Sequence, residues 1–184
     1  MGCPVNFTGL SISYACGDIA SGGLKTIILA DRAQLVEDGQ ITLSANGAVT
    51  IGGTGLVTSG IDLLTLGFNN KDGFSNFTDV KTVNADGSAS VVPTITVEFL
   101  RMDATKRAAL EEVATPGAEI VAFVETAAGT WHMVGYDFGL YAGTVDGASG
   151  AARTDKNRYQ LTLVGEENVL AYTLDQANWA KVTL

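Results

Sequence analysis

The sequence predicts a mainly β protein, an antiparallel β-sandwich or barrel with one flanking α-helix and long loops. Three observations support this class: short runs of alternating apolar and polar residues recur, 22 glycines supply turns, and only one segment has helical periodicity. A chain with so few helices lacks the crossovers that parallel strands need, so the strands should pair antiparallel. Because 184 residues suffice for one well-packed domain and are few for two, we predict a single domain over residues 1–184.

The first part of the chain predicts an arm, a strand and a hairpin. Residues 1–23 mix glycine, serine and cysteine without a clear period and are expected to form an extended N-terminal arm. A β-branched run predicts the first strand over residues 24–32. Residues 37–60 predict a long Gly-rich hairpin, because Asn46-Gly47 between alternating flanks is typical of a type I′ turn. Its flanks carry no large aromatic residue, so we expect the hairpin to pack on another surface.

The middle of the chain predicts three strands, over residues 61–68, 77–83 and 91–100, followed by the helix. In the third strand Ile95, Val97 and Phe99 share one face, which should be the core face. The helix should span about residues 103–114, with Asp103 as N-cap and Pro116-Gly117 as the stop. Its charged residues lie mostly on the solvent side, where Arg107 and Glu111 have the spacing of an ion pair.

The last part of the chain predicts strands over residues 119–126, 130–136, 140–145 and 158–164, with one or two more after residue 167. In the strand at 158–164, Tyr159, Leu161 and Leu163 alternate with polar residues and define a core face. The connection over residues 147–157 is too long for a tight turn. We therefore predict that it projects from the domain and contacts a neighbouring molecule.

Charge and composition exclude several classes of function. The net charge of −9 argues against binding nucleic acid through its phosphates. No stretch reaches the roughly 18 apolar residues of a membrane span, and the first ten residues resemble no secretion signal, so we expect synthesis in the cytoplasm and no membrane partner. Cys3 and Cys16 lack the spacing of a zinc site and are expected to be reduced thiols. The sequence predicts no cofactor and no bound metal.

The candidate catalytic residues favour a structural interpretation. His132 is the only histidine and lies in the middle of a predicted strand, and no nucleophile motif accompanies it. The adjacent carboxylates Glu111-Glu112 and Glu166-Glu167 point in different directions on a helix or strand, so we interpret them as surface charge. The sequence therefore predicts that the protein is not an enzyme.

Two further groups of residues are explained by structure and not by ligand binding. Residues 69–79 resemble the start of a calcium loop, but Phe68 replaces its first carboxylate and the bidentate glutamate is missing, so turn chemistry explains them better. Trp131, Tyr136, Phe138 and Tyr141 are close in sequence, and on such an acidic chain they are expected in the core or at an interface.

The segment from Gly135 to Glu167 resembles the C-terminal half of the tail tube and related tail structural proteins of bacteriophages. The matching pieces are Gly135-Tyr136, Gly139-Leu140, Ser149-Gly150, Asp155 and residues 159–167. The resemblance covers about the last 100 residues. It implies a β-sandwich or barrel with one helix, assembled as stacked, hexameric rings that form a tube for DNA passage. It also implies that neighbouring copies of the chain supply the packing of the hairpin at residues 37–60.

This resemblance gives a role to the features above. An acidic lumen suits DNA that passes as non-specific cargo, and the implied partners are copies of the chain and other tail proteins. The implied location is the virion tail, assembled in the bacterial host cytoplasm. Alternatives are a head-to-tail connector or adaptor, a capsid decoration protein, or a carbohydrate-binding β-sandwich. The predicted subunit contacts lie at the hairpin tip and in the projecting loop: Asn46, Gly47, Ser149, Gly150, Arg153 and Asp155.

Overall fold

A computed structural model describes residues 22–44, 47–68, 74–152 and 154–182. Within these ranges the chain forms eleven strands, two α-helices and a single π-helical turn at Ala33–Glu37. The strands are β1 Leu24–Asp31, β2 Ile41–Leu43, β3 Val49–Ile51, β4 Leu63–Thr65, β5 Asn76–Val83, β6 Ala89–Leu100, β7 Ile120–Thr126, β8 Trp131–Val134, β9 Leu140–Ala148, β10 Arg158–Gly165 and β11 Tyr172–Leu174. The helices are α1 Ala104–Val113 and α2 Gln176–Val182. The mainly β class is thus confirmed.

The strands form two antiparallel groups that are not closed into a barrel. One group of five has the order β11-β8-β7-β1-β4, and the other group of four has the order β9-β10-β6-β5. Ile120 of β7 pairs with Leu140 of β9 and joins the two groups. A separate hairpin of β2 and β3 pairs Ile41 with Ile51, so the predicted hairpin between residues 37 and 60 is present.

The first hydrophobic core lies between the two groups of strands. Ile95, Val97 and Phe99 of β6 and Leu161 and Leu163 of β10 all point into it, as the alternation predicted. Side chains of β1, β7 and α1 complete this cluster. The sequence thus identified the core face of the four-stranded sheet correctly.

A second hydrophobic core lies on the opposite face of the five-stranded sheet. There the β2–β3 hairpin packs through Ile41, Val49 and Ile51 onto residues of β1, β7 and β8. The five-stranded sheet is therefore covered on both sides, which explains why every residue from Ile120 to Glu125 in β7 is buried. The hairpin obtains from its own chain the packing that we expected a neighbouring copy to supply.

Helix α1 begins as the sequence predicts. The Asp103 side chain accepts a hydrogen bond from the Lys106 amide, and Gly117 after the helix has a φ of 83°. The prediction of one flanking helix was incomplete, because α2 follows β11 where we expected only strands. Its Trp179 ring stacks on Trp131 with the ring centroids 5.9 Å apart, which fixes the helix against the second core.

Candidate assembly site

The predicted projecting loop connects β9 to β10, and it is here called the contact loop, residues 149–157. Strand β9 continues to Ala148, so the loop is shorter than the sequence indicated. The Asp155 carboxylate accepts hydrogen bonds from the amides of Ala151 and Ala152, both at 2.8 Å. These two hydrogen bonds, of which the one from Ala152 has the larger effect, hold the pKa of Asp155 below its usual value. The loop therefore has a defined internal structure.

Gly150 is required by the conformation of the contact loop. Its φ of 76° lies in the left-handed region, and a Cβ there would approach the Asp155 Cβ to 2.5 Å. The Ser149-Gly150 and Asp155 pieces of the tail-protein resemblance are therefore in contact with one another. All three residues are exposed to solvent.

A buried carboxylate holds the base of the contact loop. Glu98 of β6 is fully buried, and its two carboxylate oxygens accept hydrogen bonds from Arg158 at 2.9 Å and Lys156 at 3.1 Å. The Phe74 ring covers both cations, with Lys156 Nζ 4.1 Å from the ring centroid. Residue alternation alone places Glu98 on the polar face of its strand, opposite Ile95, Val97 and Phe99, and no local signal in the sequence indicates that it is buried with two cations.

Asn157 fastens the end of the loop to the start of α1. Its side-chain oxygen accepts from the Met102 amide at 2.8 Å, and its backbone carbonyl accepts from the Arg101 amide at 2.7 Å. The contact loop, β6 and α1 thus form one rigid corner of the molecule.

The other predicted contact residues lie in a different part of the fold or outside the described residues. Gly47 lies partly exposed at the hairpin tip, and a Cβ placed there would lie 3.8 Å from the Tyr172 ring of the same chain. Asn46 and Arg153 lie outside the described residues, as do Cys3, Cys16 and most of the predicted arm. The structure brings Ser149, Gly150 and Asp155 together, whereas Gly47 belongs to a separate part of the fold.

Six exposed apolar side chains lie near the end of the four-stranded sheet opposite the contact loop, and three others, Phe74, Leu100 and Val145, lie at the contact-loop end. Val80 and Val92 are cross-strand partners, and Tyr141 pairs with Val164 on the same sheet. Hydrogen bonds from Asp137 and Phe138 to Glu167, and from Ala171 to Asp79, hold the neighbouring loops against this end. The residues of this apolar patch are Val80, Val92, Phe138, Tyr141, Val169 and Leu170.

The prediction that Glu166 and Glu167 are both surface charges was wrong for Glu167. Glu166 is exposed, but Glu167 is buried, and its carboxylate accepts from the amides of Asp137 at 2.9 Å and Phe138 at 3.4 Å. Burial raises the pKa of Glu167, while the two amides act in the opposite direction. Its backbone also pairs with Val91, so Glu167 joins the β8–β9 loop to β6.

The remaining candidate chemistry does not converge. His132 is partly buried on β8, where its Nδ1 lies 3.5 Å from the Thr173 hydroxyl and its ring lies beside Phe77. Burial lowers the pKa of His132, although the negative charge of Asp79 acts to raise it. Glu111 and Glu112 are exposed, and residues 69–73 of the calcium-like segment are not described. Among the described residues, no three histidine, cysteine or acidic side chains are placed to share a metal ion.

Trp131 and its neighbours divide between the core and the surface. Trp131 is buried, whereas Phe138 and Tyr141 are 59% and 54% exposed. A groove of about 460 Å³ is lined by apolar residues that include Val113 and Ile120. Carboxylates surround it: Asp31, Glu37, Asp62, Glu112 and Glu119.

Neither α1 nor α2 combines the length and the hydrophobicity of a membrane-crossing helix, and the described residues contain no other α-helix.

Comparison with known proteins identifies no relative. No protein-family model matches the chain, and neither the curated proteins nor the solved structures contain a significant match.

Proposed function

We propose that this chain is a non-enzymatic structural subunit that assembles with copies of itself into the stacked rings of a bacteriophage tail tube. The observation that carries the proposal is the apolar patch, where Phe138, Tyr141 and Leu170 are each at least half exposed. Single exposed apolar residues are ordinary, but a concentration of them in one region is typical of a protein–protein interface. A subunit that buries this patch against a neighbour gains the hydrophobic free energy that the isolated chain lacks.

The segment that resembles tail proteins supports the same proposal. This segment runs from the β8–β9 loop through β9 and the contact loop to Glu167. Two of its residues, Asp155 and Glu167, stabilise two separate surface regions. Glu167 holds Asp137 and Phe138 at the apolar patch, while Asp155 shapes the contact loop at the opposite end of β9 and β10. Both surfaces are then available to neighbouring subunits or to other tail proteins.

The charge of the chain is compatible with a conduit for DNA. With 20 acidic and 11 basic residues, a ring of copies repels the phosphate backbone, so DNA passes without binding. In this proposal the protein is assembled in the bacterial cytoplasm and resides in the virion tail.

The alternatives make different use of the same surfaces. A head-to-tail connector or a capsid decoration protein also assembles through an apolar patch, and the size and symmetry of the assembly separate them from a tube. A carbohydrate-binding β-sandwich would need exposed aromatic rings on which a sugar can stack, and Trp131 is 4% exposed and packs on Trp179, whereas Tyr141 is 54% exposed.

Electron microscopy of the purified full chain tests the proposal. We expect rings or tubes about 100 Å wide, because six domains of about 40 Å surround a central pore at that size. Mass photometry or native mass spectrometry should give the number of copies per ring. A protein that stays monomeric up to about millimolar concentration, where even weak specific contacts form, contradicts the proposal.

A further inference from the structure

Helix α1 has an exposed outer face, and one flank of this face lies beside Val145 of β9 and Tyr159 of β10. Leu110 and Val113 are buried in the first core, while Ala104, Arg107 and Glu111 are exposed on the other side. Ala108, also exposed, lies between the two charged residues along this face. The outer face of α1 therefore combines small residues with one positive group, Arg107, and two negative groups, Glu111 and Glu112.

The charges of α1 are arranged against its own dipole. The first turn has no acidic residue and the last turn has no basic residue, whereas Arg107 lies toward the beginning and Glu111 and Glu112 toward the end. Negative charge is unfavourable near a helix C-terminus, and positive charge is unfavourable near the N-terminus. Arg107 and Glu111 also stand in the less favourable order for a pair within one helix, and no ion pair joins them. These charges do not stabilise the isolated helix.

The same arrangement is favourable for two helices that pack antiparallel. We propose that α1 is a twofold docking surface for α1 of a second copy of this chain. Arg107 of each copy then faces Glu111 of the other, because residues 107 and 111 are equally far from the midpoint of the pair. Each charged end also meets the opposite dipole end of the partner helix.

Side-chain size and the surrounding charges are compatible with α1 of a second copy as the partner. Ala104 and Ala108 carry no bulk that keeps two helix axes from approaching to about 8–10 Å. Glu112 in the last turn of α1 and Glu119 beyond its end line the acidic groove, and Arg101 precedes the helix start. In an antiparallel pair Arg101 of one copy extends toward this groove of the other. Complementary charge is needed here, because two copies with a net charge of −9 each repel one another on average.

The inference goes beyond the proposed tube and does not depend on it. A twofold contact uses the same surface on both copies and closes at two subunits, so it cannot by itself build a ring or a tube. One helix face also buries less than the roughly 1,200 Å² of a standard stable interface, so the pair should be weak and sensitive to salt.

Sedimentation equilibrium of the full chain and three variants tests the pairing. At protein concentrations below those at which rings form, we expect wild-type dimers at about 0.01 M salt that dissociate at about 1 M, because the screening length falls from about 30 Å to about 3 Å. Arg107→Glu and Glu111→Arg alone each place like charges opposite one another and should weaken the dimer at least about tenfold. The double variant R107E/E111R restores both ion pairs and should dimerise within about threefold of wild type. An equimolar mixture of the two single variants should form heterodimers, because both cross-pairs are then of opposite charge.

Matched variants separate this contact from the effect of net charge. Lys81→Glu and Glu166→Arg change the net charge equally on exposed positions outside α1 and should leave the dimer intact. Circular dichroism checks that each variant remains folded. A monomeric wild type at low salt, single variants that dimerise like wild type, or a double variant that stays dissociated each overturns the proposal. Rings without α1-dependent dimers would contradict this inference alone, and dimers without rings would contradict the tube alone.

Discussion

At the scale of single residues, the most consequential side chains are two buried glutamates that fix loops to the four-stranded sheet. Glu98 neutralises Lys156 and Arg158 at the base of the contact loop, and Glu167 binds the amides of the β8–β9 loop. A buried carboxylate is costly unless donors surround it, and here donors from distant parts of the chain do so. Both residues therefore stabilise the surfaces on which the proposed assembly depends.

Glu98→Gln should lower the free energy of unfolding by about 2 kcal/mol. The variant leaves two cations without their common counter-ion, but the cost is below the roughly 3–5 kcal/mol of a fully buried pair, because Lys156 and Arg158 are 33% and 25% exposed. Urea denaturation measures the change. Glu112→Gln, at an exposed position, is the control and should change stability little. Equal stability of E98Q and wild type would show that the ion pairs do not hold the loop.

Glu167→Gln should change the dependence of stability on pH. The pKa of Glu167 is raised in the folded protein above its ordinary value of 4.5, because burial outweighs the amide hydrogen bonds. The folded state then binds the proton more tightly, so this residue favours folding most at low pH and that contribution is lost as pH rises through the raised pKa.

The difference in unfolding free energy between E167Q and wild type should therefore shift in favour of the variant as pH rises through this window. Urea denaturation from about pH 4 to about pH 8 measures it, since both proteins share every other titration. Glu166→Gln, at the exposed neighbouring position, is the control for the loss of one negative charge in this loop. A difference for E167Q that does not change with pH would contradict the raised pKa.

At the scale of elements, α2 connects the end of the chain to the hairpin of β2 and β3. The Asn178 side chain accepts from the Ile51 amide at 2.9 Å and donates to the Val49 carbonyl at 2.8 Å, and Lys181 donates to the Ile51 carbonyl at 2.7 Å. The hairpin edge is thus paired with side chains of a helix instead of another strand. This pairing protects backbone groups that otherwise favour association with other chains.

Asn178→Ala should destabilise the protein by about 2 kcal/mol, because it leaves a buried amide of Ile51 and a buried carbonyl of Val49 without partners. Hydrogen exchange of the Ile51 amide should accelerate more than exchange in β6, where the core is unchanged. Gln176→Ala alters an exposed residue of the same helix and serves as the control. Unchanged exchange at Ile51 would mean that α2 does not secure the hairpin.

Strand alternation and helix capping made most elements predictable from local sequence. The core face of β6 follows from Ile95, Val97 and Phe99, and α1 follows from the Asp103 cap. Helix α2 was missed because it is short and its residues gain their roles from the hairpin, more than 120 positions earlier in the chain. The apolar runs at residues 27–30 of β1 and 120–124 of β7 are typical of a sheet that is buried on both faces, but we did not predict the second layer from them. The burial of Glu98 depends on cations about 60 residues away, which no local pattern specifies.

At the scale of the whole molecule, the proposed assembly surfaces occupy different regions. The apolar patch and the contact loop lie at opposite ends of the four-stranded sheet, and the outer face of α1 carries the charged residues of the proposed twofold pair. A molecule with several distinct surfaces can make closed and propagating contacts at the same time. The salt dependence of each contact distinguishes them, because hydrophobic burial persists at an ionic strength that screens ion pairs.

The double variant F138S/L170S should therefore prevent ring or tube formation without unfolding the chain. Both side chains are about half or more exposed, so their loss removes little of the core but much of the apolar area that a neighbour would bury. Electron microscopy should show dispersed particles where wild type forms rings, at about 1 M salt as well as at low salt, since screening does not restore hydrophobic contact. Val57→Ser is the matched control, because Val57 is 54% exposed but lies outside the patch, and it should assemble like wild type. Rings formed equally well by F138S/L170S would exclude the apolar patch as the contact that propagates the assembly.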